Sequence, residues 1–112
     1  MYLPKTDIFN ILQTLPYNIL QTNETVFTEL PAITFRVGNN SVNVDLNSDI
    51  TYQDIDMVID IWAEDSVTAS NILAEVEALM RQHGYNLNFS TDVPNVDKSL
   101  YHISTRFRTI AR

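Results

Sequence analysis

The chain contains no cysteine, which excludes a disulfide framework, a cysteine-ligated zinc site and a thiol nucleophile, and suits a reducing compartment. Glycine is nearly as scarce. Only Gly38 and Gly84 occur, each with a turn or a helix cap to explain it, so no glycine-rich loop is available to cradle a phosphate. The two histidines, His83 and His102, are isolated at a helix end and on a polar strand face, and no Ser-His-Asp arrangement follows from them. Basic residues are few: 7 Lys and Arg stand against 14 Asp and Glu, a formal net charge of -7. A field of that sign repels phosphates and disfavours adhesion to nucleic acid or to an anionic membrane, yet it permits a surface past which DNA slides. No apolar run approaches the roughly 20 residues that cross a bilayer. The opening Met1-Tyr2-Leu3-Pro4-Lys5 also lacks the basic segment and apolar core of a secretion signal, and the expectation is a soluble protein.

What is present is a globular composition. Of 112 residues, 45% are hydrophobic and 19% charged, enough apolar material to close one core without staples, so a single domain over residues 1–112 is expected. The clearest stretch runs from Gln53 to Gly84. In its first part Ile55, Met57, Ile59 and Ile61 fall on one side, with Asp56, Val58, Asp60 and Trp62 on the other; this is the period of a strand with one buried face. In its second part Asp65 or Ser66 can cap a helix whose stripe is Ala69, Ile72, Leu73, Val76, Leu79 and Met80, closed by Gly84.

The flanking segments read as follows. Thr6 or Asp7 can cap a first helix carrying Ile8, Ile11, Leu12 and Leu15 up to Pro16. Residues 17–30 read as an irregular connection or a short edge strand. Pro31 opens a strand with Ile33, Phe35 and Val37 alternating with Thr34 and Arg36; Gly38-Asn39-Asn40-Ser41 reads as a turn into a hairpin partner carrying Val42, Val44 and Leu46. Tyr85, Leu87 and Phe89 mark a further strand, residues 91–99 a polar loop, and Tyr101, Ile103 and Phe107 a last strand whose other face holds His102, Ser104, Arg106 and Arg108. The fold class is α+β: a mostly antiparallel sheet of four or five strands with two helices packed on one face.

Three constellations could carry chemistry. Asp54, Asp56 and Asp60 share one strand face and could hold a hard cation or serve a metal-dependent nuclease, but the converging further ligands that such a site needs are not identifiable, and a solvated or partner-facing surface is the favoured reading. Trp62, on the acidic face, is either an interface anchor or a side chain covered by the chain's own loop. Arg36, Arg106 and Arg108 can form ion pairs with the strand carboxylates, within the chain or between subunits. No catalytic, metal or cofactor site is assigned.

Taken in order, Pro31-Ala-Ile-Thr-Phe-Arg36, Asp56-Met-Val-Ile-Asp-Ile-Trp-Ala63, the helix through Ala69, Leu73, Val76 and Leu79 with Gly84-Tyr85, and the strand from Tyr101 to Phe107, the chain resembles the tail completion and tail terminator proteins of long-tailed bacteriophages. The resemblance implies a non-enzymatic virion protein, assembled in the host cytoplasm. It also implies a hexameric ring that caps the tail tube and joins it to the head connector or stopper proteins, with DNA passing through the hole without specific binding. On the faces read above, some of Asp45, Asp49, Asp54, Asp56 and Asp60 are expected toward the lumen, since carboxylates release phosphates that Lys and Arg would hold. Arg36, Trp62, Arg106 and Arg108 are expected at subunit contacts. Another phage neck or head-completion protein, a ferredoxin-like cytoplasmic binding module and a metal-dependent nuclease are the other readings. A binding module would stay monomeric or dimeric, and a nuclease would cleave DNA with a divalent ion and lose that activity in Asp56→Ala.

Overall fold

The computed structural model describes residues 4–21, 30–44, 50–93 and 100–111. The first helix, α1 (Pro4–Leu12), begins earlier than the capping residues suggest. Proline suits a first turn, where its fixed φ is helical and its missing N–H has no partner to lose, so Thr6 and Asp7 lie inside the helix. Its end is local: the amides of Thr14 and Leu15 bond back to the carbonyls of Ile11 and Leu12, and Leu15 lies beyond the helix, half-buried against the core.

Among the described residues five strands form one sheet: β1 (Asn18–Gln21), β2 (Ala32–Val44), β3 (Ile50–Ala63), β4 (Asn86–Val93) and β5 (Tyr101–Ala111), in the order β1-β2-β3-β5-β4. β1 runs parallel to β2, and every other neighbouring pair is antiparallel. The turn expected at Gly38-Asn39-Asn40-Ser41 is absent. β2 continues straight through those residues to Val44, and the pairing slips by one residue between Val37, opposite Met57, and Asn39, opposite Asp56. Gly38 is thus the extra residue of a β-bulge, the other structure an isolated strand glycine can mark. The reason is space: a Cβ there would lie 3.1 Å from Cγ2 of Val58. The hairpin therefore joins β2 to β3, and Leu46, expected in the hairpin partner, lies outside the described residues.

The second helix, α2 (Ser66–Gln82), connects β3 to β4, and β5 then inserts between those two strands. Its ends follow from two residues. The Asp65 carboxylate accepts the Thr68 amide at 2.7 Å, and at the other end the amides of Gly84 and Tyr85 bond to the carbonyls of Arg81 and Met80. That crossed pair closes a helix when the residue after the cap is left-handed, and Gly84 has φ 84°.

Ile55, Met57, Ile59 and Ile61 are all fully buried. They share one core cluster with Ile33 and Phe35 of β2, Ile103 and Phe107 of β5, Ile8, Ile11 and Leu12 of α1, and Ala69, Ile72, Val76 and Met80 of α2. Leu73 and Leu79 are only partly buried at the margin. Thr105, a polar residue inside this cluster, satisfies its hydroxyl by donating to the Ile59 carbonyl at 2.6 Å.

β4 departs from simple alternation. It runs on to Val93 through residues expected in a loop, and its pairing slips between Leu87 and Phe89: Leu87 lies opposite Phe107, but Phe89 lies opposite Arg106. Side chains directly opposite share a face, so Phe89 sits on the side away from the core. Leu87 at 39% and Phe89 at 54% exposure are surface residues, although their spacing reads as one buried face.

Candidate functional site

The sheet face away from the core is the chemically varied surface of the molecule. The register lays it out in rows across the strands. From one end these are Ala32-Trp62-His102-Val93, Thr34-Asp60-Ser104-Thr91, Arg36-Val58-Arg106-Phe89 and Asn39-Asp56-Arg108-Asn86, with Asp54 and Ile110 next along β3 and β5. All four expected contact residues, Arg36, Trp62, Arg106 and Arg108, therefore share a face with Asp54, Asp56 and Asp60. Asp45 and Asp49 lie outside the described residues.

Depth separates the two signs of charge. Arg36, Arg106 and Arg108 are exposed, Asp54 and Asp56 are half-buried, and Asp60 is buried. The composition of the face is balanced, but the charges that stand furthest into solvent are cationic. Long arginine stems rising over a strand can cover apolar neighbours while keeping their heads in water; in register between Arg36 and Arg106, Val58 is only 3% exposed.

One arginine is already engaged. Arg108 grips Asp54 with two parallel bonds, Nε to Oδ1 at 2.9 Å and Nη2 to Oδ2 at 2.6 Å. The fork geometry matches a carboxylate and strengthens both bonds. Hydrogen bonding from Arg108 holds the Asp54 carboxyl below its usual value. In return Asp54, with a smaller contribution from the field of Asp56, raises Arg108 above its own. Asp56 lies directly opposite Arg108, yet its Oδ1 is buried without a hydrogen-bond partner because the guanidinium turns to the diagonal neighbour. The sequence offers Arg108 several acids on this face; the register narrows them to Asp56 opposite and Asp54 on the diagonal, and the direction of the side chain selects Asp54.

At the opposite end Trp62 is half-buried. Its ring stacks on His102 with centroids 3.7 Å apart and planes 13° from parallel, and its Nε1 donates to the Thr34 hydroxyl at 3.1 Å. Side chains of its own sheet therefore hold it. His102 Nε2 lies 3.3 Å from Asp60 Oδ1, but among the described residues neither atom has a hydrogen-bond partner; the contact is an ion pair only with a protonated imidazole. Neither His102 nor Thr34 stands out in the sequence as a partner of Trp62. The signal that finds them is the β3–β5 and β2–β3 register, which requires both pairings to be known.

An open groove of about 350 Å³ lies where β4 begins, with Leu87, Arg108 and Ile110 among its walls. Ile110 is 52% exposed, so this end of the sheet combines bare apolar surface with a guanidinium. Among the described residues no group of three or more His, Asp or Glu is placed to hold a metal ion, and no helix is long and apolar enough to cross a membrane.

This face therefore combines projecting arginines, recessed carboxylates and bare apolar side chains. Comparison with curated proteins finds no match to the chain. A protein-family model does match: the one described as tail completion protein gp17, over residues 18–112. That span takes in all five strands and α2, and the chain therefore belongs to the tail completion protein gp17 family of bacteriophage tail structural proteins.

Proposed function

We propose that the chain closes with copies of itself into a hexameric ring that caps the tail tube and joins it to the head connector, with DNA passing through the lumen. The observation that carries this reading is the sheet face described above. It has its own apolar rows on the other side, yet it projects Arg36, Arg106 and Phe89 into solvent in one line across the strands. Surfaces that combine bare aromatic side chains with arginine are those that protein contacts use. Arg36, Trp62, Arg106 and Arg108 supply the subunit contacts, Trp62 as the stacked end of the patch, Arg36 and Arg106 as its charged middle, and Arg108, bonded to Asp54, where the contact meets the lumen.

The lumen is lined from the other end of the same strands. Asp45 and Asp49 lie between β2 and β3 in the chain, and Asp54 and Asp56 follow on β3; carboxylates there keep passing phosphates from sticking. Asp60, deeper in the sheet, adds its field rather than a contact. Tail tube protein meets one side of the ring and the connector or stopper protein the other. This places the protein at the neck of the virion.

The test is assembly. Tails made without this protein should fail to join heads, and adding the purified protein should restore joining and sediment with the tubes in a fixed ratio. Joining that proceeds equally well without it would overturn the reading. A map of the ring with Asp54 and Asp56 on the outer rim would remove the lumen assignment.

A further inference from the structure

We propose that the outer side of α2 on one copy docks onto the Arg36-Val58-Arg106 row of the next copy. This rests on the ring reading and names the two surfaces that meet. Neighbouring strands lie about 4.8 Å apart, so the backbones of Arg36 and Arg106, separated by β3, stand roughly 10 Å from each other. Among the described residues neither arginine forms an ion pair. Both are exposed, with the buried Val58 between them.

The chain carries a surface that complements this one. On α2 the residues opposite the buried stripe are Val67, Asn71 and Ala74, all exposed, and the half-buried Ala78, with the exposed Ser70 and, at the last turn, Arg81 between them and Glu77. Val67 alone is 69% exposed, and the strip is smooth because its side chains are small. Glu75 and Glu77 lie on either flank of it, at helical angles of roughly 80° to each side. A helix with its side chains is about 10–12 Å across, which matches the spacing of the two arginines. Laid along the strands over Val58, α2 of a second copy would set one carboxylate against each guanidinium. The small strip would cover the apolar floor.

The present partners of the two acids leave them free to do so. Glu75 accepts from the Tyr17 hydroxyl at 2.7 Å, and Glu77 lies 3.7 Å from Arg81. Exposed pairs of this kind contribute little, and a carboxylate has about four acceptor positions. The stripe of α2 that faces inward belongs to the core built on the other side of the sheet. Each copy therefore offers its helix to one neighbour and its arginine row to another. Such a head-to-tail contact has no two-fold symmetry, and repetition closes it into a ring or extends it into a filament.

Reversing charge on one side at a time tests the pairing. The pair Arg36→Glu with Arg106→Glu, and separately the pair Glu75→Arg with Glu77→Arg, should each weaken self-association by about ten-fold or more, measured by light scattering with and without tail tubes. All these side chains lie at the surface, so thermal melting should show each variant folded. Mixing the two variants should restore assembly, since an alternating ring has a matched charge pair at every contact. Assembly that is indifferent to reversal of Arg36 and Arg106, or a mixture that stays apart, would overturn this interface and leave the ring standing. A wild-type chain that never self-associates, even on tubes, would overturn both.

Discussion

Gly84 takes φ 84°, a region closed to most side chains by the clash of Cβ with the following carbonyl. The space around it is not the constraint: an added Cβ would meet only Thr109 Oγ1, at 3.9 Å. Gly84→Ala should therefore lose about 1–2 kcal/mol of stability through backbone strain alone, read as a lower urea midpoint with an unchanged slope. Asp65 acts at the other end of the same helix. Bonds from the Thr68 amide and hydroxyl favour its ionised form and hold its carboxyl below the usual aspartate range, as Arg108 does for Asp54. The unfolded chain titrates these groups at the ordinary value, so their contribution is complete above that value and is lost as pH falls through the lowered folded one. Melting temperature should accordingly decline on acidification below about pH 4, and Asp65→Asn, which keeps a capping oxygen without the titration, should flatten part of that decline. A decline of the same steepness in Asp65→Asn would rule out the cap as its source.

At the scale of elements, α2 divides cleanly into a face that stabilises the fold and a face that does not. Ile72 is 1% exposed and Met80 fully buried; either one truncated to Ala should cost about 2–5 kcal/mol. Val67→Ala on the outer strip should change stability by less than about 0.5 kcal/mol. Denaturant titration of the three variants measures the contrast, and similar losses at all three would mean that the outer strip is packed. This helix was legible in the sequence, cap to cap, because Asp65, the apolar stripe and Gly84 all state the same boundaries. So was β3, with its four buried odd positions. β2 and β4 were not, for one physical reason: a bulge shifts the two-residue period by one. Gly38 looks like a turn until its lack of Cβ is seen to make room for Val58, and Phe89 looks buried until the slip at Asn88 turns it outward. Of the candidate site, the residue types and the shared face could be read from parity. The pairs Asp54–Arg108 and Trp62–His102 could not, because cross-strand register joins residues about 40–54 positions apart.

For the molecule as a whole, the separation of charge by depth matters more than the net value of -7. Projecting arginines stand above recessed carboxylates on one side of the sheet, and glutamates flank the helix on the other side. Oppositely charged outer surfaces on one chain favour its association with copies of itself in one orientation and oppose the others. High salt should therefore weaken self-association, since exposed charges are screened within about 8–10 Å at physiological ionic strength. Light scattering across a salt series checks this, and self-association strengthened by salt would point to an apolar contact instead. Whether the chain works as a ring on the end of a tail tube can be seen by electron microscopy of tubes incubated with the purified protein. A six-fold annulus with an open centre at one end of each tube is the expected image; bare tube ends with the protein still a lone globule in the background would refute the ring.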